Sequence, residues 1–239
     1  MKTDYGVDAP NVMRNLFLIG AACVLLAIFL PSPMTFGQVT VYGKGMFGWA
    51  GGFCLVEGCF FLLYVKYGKF RHRDFMLRMH AWSGSERVLD VGCGRGLLLA
   101  GAAKRLTTGH ATGIDIWSNT DMGGNSEAET LRNLEIEGVA SRCTLLSVGA
   151  QEMPFADGSF DVIVSNLCLH NIYDKPTRMK ALEEIVRVLA PGGQALISDY
   201  KLTGEYAKEF ERMGLEVERK WGSWLTTFPP LRVVIARRR

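Results

Sequence analysis

Several things are missing from this chain, and each absence narrows what it can do. None of its six cysteines (Cys23, Cys54, Cys59, Cys93, Cys143, Cys168) stands in a C-x-x-C pair or clusters with the four histidines. Neither a disulfide framework nor a zinc site is therefore expected, and the thiols read as small buried hydrophobes of a reducing, cytosol-facing protein. Charge is sparse, at 21% of 239 residues with a net charge of +3, and no basic stripe marks a nucleic-acid footprint. No Tyr-x-x-x-Lys pair occurs, which weakens any case for a nicotinamide-dependent reductase.

The scarcity of charge is concentrated near the start. Residues 15–30, NLFLIGAACVLLAIFL, carry none, and residues 46–65, MFGWAGGFCLVEGCFFLLYV, carry only Glu57. A bilayer core asks for about 20 apolar residues, with a lower limit near 17. The second stretch meets this, and the first does once Val12 and Met13 join it while Arg14 snorkels. A cleavable signal needs a small-x-small site, yet the first stretch closes on Leu30-Pro31-Ser32-Pro33. A transmembrane hairpin is therefore expected, with helices over about 12–30 and 46–65 in a membrane unit of residues 1–69. The competing expectation is a pair of helices that cap the soluble domain or an oligomer interface.

Lys66, Lys69, Arg71, Arg73 and Arg78 crowd the exit of the second stretch, whereas the loop from Pro31 to Gly45 holds only Lys44. That asymmetry predicts a multi-pass protein with its catalytic domain on the cytoplasmic side. Gly48 and Gly52, spaced G-x-x-x-G, together with Cys23 and Ala27, suit close helix packing within the chain or in a homo-oligomer. A carboxyl group in mid-membrane costs about 2.5 kcal/mol or more, so Glu57 reads either as functional or as a protonated group bonded to a neighbouring helix.

Beyond residue 69 the pattern changes. Phe70 to Ser85 is basic and amphipathic, suited either to an anionic leaflet surface or to an N-terminal helix over the sheet edge. Strand and helix signals then alternate, as in a doubly wound α/β sheet. Seven strands are expected, at 88–91, 110–116, 142–148, 161–167, 194–200, 215–220 and 231–236. Helices are expected over 97–106, 127–137, 177–189 and 204–213.

The stretch from Glu86 to Leu106, ERVLDVGCGRGLLLAGAAKRL, is strand, glycine turn and helix. Glycine lets the backbone turn tightly and a ligand approach without a Cβ in the way, and N–H groups at a helix start favour a polar or anionic ligand. The dinucleotide fingerprint is G-x-G-x-x-G, but here Gly92, Gly94 and Gly96 follow Asp90 as G-x-G-x-G. Asp115 ends the second strand, where a carboxylate accepts hydrogen bonds from both ribose hydroxyls of an adenosine.

The run D-V-G-C-G-R-G, residues 90–96, resembles the first motif of class I S-adenosylmethionine-dependent methyltransferases. GAQEMPFADGSFDVIVSNLCLHNI, residues 149–172, is similar to the corresponding segment of ubiquinone-biosynthesis-type and related small-molecule methyltransferases. RVLAPGGQALISDY, residues 187–200, resembles their helix, P-G-G turn and fifth strand, and FPPLRVVIARR suits their antiparallel last strand. The resemblance covers roughly residues 70–239. It implies a Rossmann-like seven-stranded sheet and S-adenosylmethionine as cofactor, held by Asp90, Gly92, Cys93, Gly94, Gly96, Asp115, Ile116, Trp117, Ala150, Gln151 and Asn166. Family members commonly carry an Asp that bonds the adenine amino group, but alignment on Pro154 and Phe155 puts Gly149 there. Ala150 and Gln151 would then take over that contact. The loop Trp117 to Asn125, rich in turn formers, is expected as a lid, with Trp117 covering the adenine or plugging the sheet edge.

Methyl transfer from a sulfonium is an in-line displacement, so the protein mainly aligns the reactants and excludes water. Catalytic candidates follow the fourth and fifth strands: Asn166, His170, Tyr173 and Asp199, with Tyr200 beside them. As an imidazole, His170 suits a general base, or else it packs the strand-to-helix turn. Asn166 reads as lining the cleft, and Asp199 as binding a cationic substrate or capping a helix. The whole describes a membrane-anchored methyltransferase acting on a small-molecule or lipid-associated acceptor, without metal or nucleic acid. A non-catalytic membrane scaffold, and behind it a nicotinamide-dependent reductase, are the competing functions.

Overall fold

Pro10, in the first turn where its missing N–H leaves no helical bond unmade, opens helix α1, Pro10–Phe29. The computed structural model describes residues 2–118, 122–222 and 227–239. After α1 the chain forms a short antiparallel hairpin, β1 (Met34–Phe36) and β2 (Val39–Val41), turning at Gly37 with φ +61°. Helix α2, Gly43–Leu63, then returns along α1. It does not stop where the apolar run stops. A π turn, Tyr64–Gly68, and helix α3, Lys69–Leu77, continue it without a break.

The main sheet is built from β3 (Arg87–Val91), β4 (His110–Ile114), β5 (Cys143–Leu146), β6 (Phe160–Asn166), β7 (Leu189–Asp199), β8 (Glu216–Trp221) and β9 (Arg232–Arg237). Their spatial order is β5-β4-β3-β6-β7-β9-β8, and β9 runs antiparallel to both its neighbours. All seven expected strands are present, as is the antiparallel last strand. β7 begins earlier than expected, at Leu189, and carries Pro191 to Gly193 as a register shift rather than leaving them outside as a turn. The helices are α4 (Leu97–Ala103), α5 (Glu127–Ile136), α6 (Lys175–Val188) and α7 (Thr203–Arg212). Ser126 and Asp174 cap α5 and α6 by accepting bonds from Glu129 N and Thr177 N.

One face of the sheet packs Ala181, Leu182 and Ile185 of α6 and Tyr206 and Phe210 of α7 against Ile163 and Ile197. The other packs Leu98 and Leu99 of α4 with Met76 and Leu77 of α3 against Val88, Val162 and Leu196. The basic stretch after residue 69 is therefore a helix whose buried side covers a face of the sheet rather than its edge. Chain order reverses at β3, which pairs with β4 on one side and β6 on the other. A crevice opens at the carboxyl ends of strands at such a switch point.

Helices α1 and α2 meet through glycines other than the G-x-x-x-G pair. A Cβ added at Gly51 would lie 2.9 Å from Val24 N and 3.0 Å from Gly20 O, and one at Gly58 would lie 3.0 Å from the Phe17 ring. Gly48 only borders Ala27, at 3.9 Å, and Gly52 faces open space. The outer surfaces leave Leu18, Ile28, Phe29, Trp49 and Phe53 exposed, and Cys59 is exposed with them instead of buried. Glu57 is half-buried and makes no hydrogen bond or ion pair among the described residues. Both helices are long and apolar enough to cross a membrane, and only 6% and 17% of their most apolar windows are buried. They do not serve as a cap on the domain. Because forcing a larger side chain into a tight seam costs about 1–3 kcal/mol, Gly51→Leu is expected to lower the thermal midpoint of the full chain in detergent. Gly52→Leu should leave that midpoint unchanged, and equal effects would mean that the seam lies elsewhere.

Candidate functional site

At the end of β3 the backbone turns left-handed three times, at Gly92 (φ +72°), Gly94 (+51°) and Gly96 (+82°), and Gly96 caps α4. Gly92 has no room for a side chain, since a Cβ there would sit 2.2 Å from Cys168 Sγ. Cys168 reaches that spot because Leu167, just after β6, takes φ +56°, with its N–H bonded to Ser198 O at 3.0 Å. A large side chain in this region is uncommon, and such strain collects at functional sites.

These turns frame a narrow cavity of about 60 Å³ at the ends of β3 and β6. Asp90, Gly92, Cys93, Gly94 and Asn166 line it, together with Tyr64, Lys69 and residues Tyr5 and Asp8 of the N-terminal tail. The tail lies across the site as a strap. Asp4 N donates to Asn133 Oδ1 at 3.0 Å, Tyr5 Oη to Glu137 Oε1 at 2.7 Å, and Arg95 Nη2 to Asp4 Oδ2 at 3.1 Å. Asp8 forms a β-bridge with Met122.

The cavity walls are polar and poorly satisfied. Asp90 is 1% exposed, and its Oδ2 has no hydrogen-bond partner. Burial first, and the charge of Asp115 second, raise its pKa to about 8. Asn166 Oδ1 is likewise buried without a partner. Asp115 accepts from Gly94 N at 2.8 Å, from Trp117 N at 2.6 Å and from Asn125 Nδ2 at 3.3 Å, which ties the end of β4 to the glycine turn.

The remaining cofactor candidates lie further out. Ile116 is 70% exposed. The Trp117 indole donates to Ser147 Oγ at 2.6 Å, just past the end of β5, a contact at the sheet edge. Ala150 is buried in the core, and the Gln151 amide folds back to within 2.6 Å of where a Gly149 Cβ would be. The central residues of the expected lid, 119–121, lie outside the described residues.

The catalytic candidates form a second group, separate from Asn166 in the cavity. His170 sits in a 3₁₀ turn, Leu169–Asn171, with Nδ1 2.8 Å from Asp199 Oδ1. Asp199 is fully buried and accepts from His170 N at 3.2 Å, Tyr200 N at 2.8 Å and Tyr206 Oη at 3.3 Å. It is thus committed to holding His170, and α7 is capped by Leu202 instead. The Tyr200 ring stands edge-on to His170 at 4.8 Å. Tyr173 is 81% exposed, and the Lys201 ammonium lies 5.9 Å from its ring and 5.3 Å from that of Tyr200.

Sequence reasoning missed Tyr5, Asp8, Tyr64, Lys69 and Arg95, all of which line the cavity. No α-helical spacing marks them: Tyr64 and Lys69 are five residues apart, off one α-helical face, and only the π turn aligns them. Lys69 also counts equally well among the basic flank of a membrane helix.

The residues fit an adenosyl amino acid. Buried acceptors with no partner line the same cavity as a buried cation, a carboxylate ends β4, and the glycine turn leaves room for close approach. Residues 89–197 match the family described as "Methyltransferase domain". Over 127 residues the chain is 35% identical to sterol 4-C-methyltransferase strm-1 of Caenorhabditis elegans, covering 52% of this chain and 35% of that protein. Over 116 residues it is 37% identical to the ubiquinone/menaquinone biosynthesis C-methyltransferase UbiE of Vibrio campbellii, covering 48% and 41%. The chain spans less than half the length of these curated relatives. In structure it resembles the N-methyltransferase NodS of Bradyrhizobium japonicum WM9 in complex with S-adenosylhomocysteine, with a TM-score of 0.58, 18% identity and coverage of 72% and 88%. At that identity the likeness concerns the fold alone. The glycine turn, the switch-point cavity and the match of residues 89–197 agree on an S-adenosylmethionine-dependent methyltransferase domain on a Rossmann-like sheet within this chain.

Proposed function

We propose that the protein is a membrane-anchored enzyme that transfers a methyl group from S-adenosylmethionine to a small or lipid-associated acceptor. Residues 1–69 form the membrane unit in this reading, and residues 70–239 form the catalytic domain on the cytoplasmic side. The observation that carries it is a shared cavity: Tyr64, at the end of the long apolar helix, lines the same space as Asp90 and Gly92 of the glycine turn. The named relatives concern a sterol and ubiquinone or menaquinone biosynthesis. A lipid-soluble acceptor would be concentrated where this helix leaves the bilayer.

When bound, the cofactor supplies an electrophilic methyl group on a sulfonium. Asp90 and Asn166 hold its amino-acid end, and Asp115 holds the ribose hydroxyls in exchange for one of its present donors. Alignment of acceptor and methyl, with water excluded, supplies most of the acceleration. His170, held through its backbone N–H by Asp199 and with Nδ1 2.8 Å from that carboxylate, keeps Nε2 to accept a proton from an acceptor that arrives protonated. The second reading, a scaffold without catalysis, draws its support from Gly149, which leaves the adenine side without a carboxylate.

Calorimetry on the full chain in detergent separates the functions. S-adenosylhomocysteine should bind and NADH should not; binding of neither favours the scaffold, and binding of NADH alone favours a reductase. Asp90 provides a sharper readout. With a pKa of about 8 it is mostly protonated at pH 7 in the free protein, and an arriving ammonium favours its charged form. S-adenosylhomocysteine binding at pH 7 should therefore release a proton, so the observed heat varies with the ionisation enthalpy of the buffer; Asp90→Asn should abolish that dependence. His170→Ala should slow transfer of radiolabelled methyl groups into membrane lipid extracts by about 10²–10⁴-fold, with S-adenosylhomocysteine affinity unchanged. Full turnover at every pH would remove His170 from proton transfer.

A further inference from the structure

Lys69 is a buried ammonium without an adequate counter-ion. Its side chain is 5% exposed, at the start of α3 directly after the π turn. Nζ donates to two neutral carbonyls of the strap, Tyr5 O at 2.9 Å and Gly6 O at 2.6 Å. The nearest carboxylate, Asp8 Oδ2, stands 3.7 Å away, and that buried oxygen has no hydrogen-bond partner of its own. Burial pulls the Lys69 pKa down and pushes the Asp8 pKa up, each only partly offset by the other. A charge removed from water needs both a counter-ion and good hydrogen bonds to repay its desolvation. This pair lacks the geometry for that.

The same cavity holds two buried oxygens without partners, Asp90 Oδ2 and Asn166 Oδ1. The lining of this one cavity thus offers both acceptors for an ammonium and an ammonium for a carboxylate. That is the complement of an amino-acid zwitterion. Arg95 also lines the cavity, but its Nη2 is already held by Asp4 Oδ2 at 3.1 Å and Glu129 Oε2 at 2.8 Å. Arg73, the third lining cation, gives Nε to Asp74 Oδ1 at 2.9 Å and is more exposed, so Lys69 is the buried cation held by neutral carbonyls. The strap carbonyls and Asp8 surround the Lys69 ammonium, so an incoming carboxylate reaches it only by displacing them.

We propose that Lys69 binds the α-carboxylate of the cofactor's methionine moiety and that Asp8 holds its place until the strap is displaced. This rests on the cavity being the cofactor site. It assigns a cofactor contact to the extension of the apolar helix, so the hairpin and the cofactor become linked through one side chain.

The test compares two ligands on the full chain in detergent. S-adenosylhomocysteine carries the amino acid, whereas 5′-methylthioadenosine keeps the adenosine and the thioether without it. Lys69→Met should weaken the first by about tenfold or more, as expected for loss of a charge-assisted bond, and leave the second within about twofold. Lys69→Arg should retain most of the affinity for both. Equal weakening of both ligands, or no weakening of either, overturns the assignment, because a purely structural lysine does not discriminate between them. Should Lys69→Met fail to fold, Asp8→Asn decides. Without the competing carboxylate, S-adenosylhomocysteine should bind more tightly and 5′-methylthioadenosine unchanged, and unaltered or weaker binding of the first overturns the proposal. If the unmodified chain binds neither ligand, the cofactor reading itself falls and the assignment with it.

Discussion

The close approach of Gly92 to Cys168 is the constraint on which the rest of the site depends. With a Cβ 2.2 Å from sulfur at that point, any residue other than glycine would push the end of β3 away from the end of β6. Those two ends carry Asp90 and Asn166, whose unpartnered oxygens face one cavity. The parallel pairing of β3 with β6 supplies the alignment, with Asp90 opposite Val164. The strained Leu167 supplies the turn that brings Cys168 over the glycine. Strain of about 1–3 kcal/mol at one residue persists only where the surroundings over-determine it, and here the pairing of β6 with both β3 and β7 does so.

The second organising element is the continuity of α2 with α3. A π turn inserts an extra residue into a helix and re-aims the side chains beyond it, often at functional positions. Here it leaves Tyr64 and Gly68 buried against the domain and directs Lys69 into the cavity, while Tyr67 faces outward. Beyond it, His72 is buried with Nε2 2.7 Å from Ser198 Oγ, and burial lowers its pKa to about 4, so it stays neutral. Phe228 packs against Phe60 and Phe61 at 6.4 and 6.0 Å between ring centroids, joining the segment before β9 to the end of α2. The apolar helix and the domain are therefore one packed body at their junction, although most of the helix surface faces outward.

The strands and the glycine turn were legible because they rest on local rules. Short apolar runs bounded by glycine and proline must be buried strands, and left-handed backbone beside a ligand demands glycine. The α1–α2 seam stayed open in the sequence for an equally physical reason. Gly48 and Gly52 have the expected spacing, but spacing does not say which helix face meets the partner, and the crossing point chose Gly20, Gly51 and Gly58. Asp199 is similar, because its position at a strand end was visible but its commitment to His170, Tyr200 and Tyr206 was not. Trp117 was left between two roles, and only its bond to Ser147, 30 residues away, places the indole at the sheet edge.

By itself, the sequence determined the order of strands and helices, the two long apolar segments, and the acidic and glycine residues of the cofactor turn. These follow from periodicity, from side-chain size and from backbone conformations that only certain residues adopt. The tertiary structure alone decided that residues 4–8 cross the site, that Lys69 lies buried in the cavity that Asp90 lines, and that Asp199 serves His170. Each of these is a contact between residues far apart in the chain. Nothing in the local pattern distinguishes a lysine flanking a membrane helix from one turned inward, because the difference lies in what packs around it.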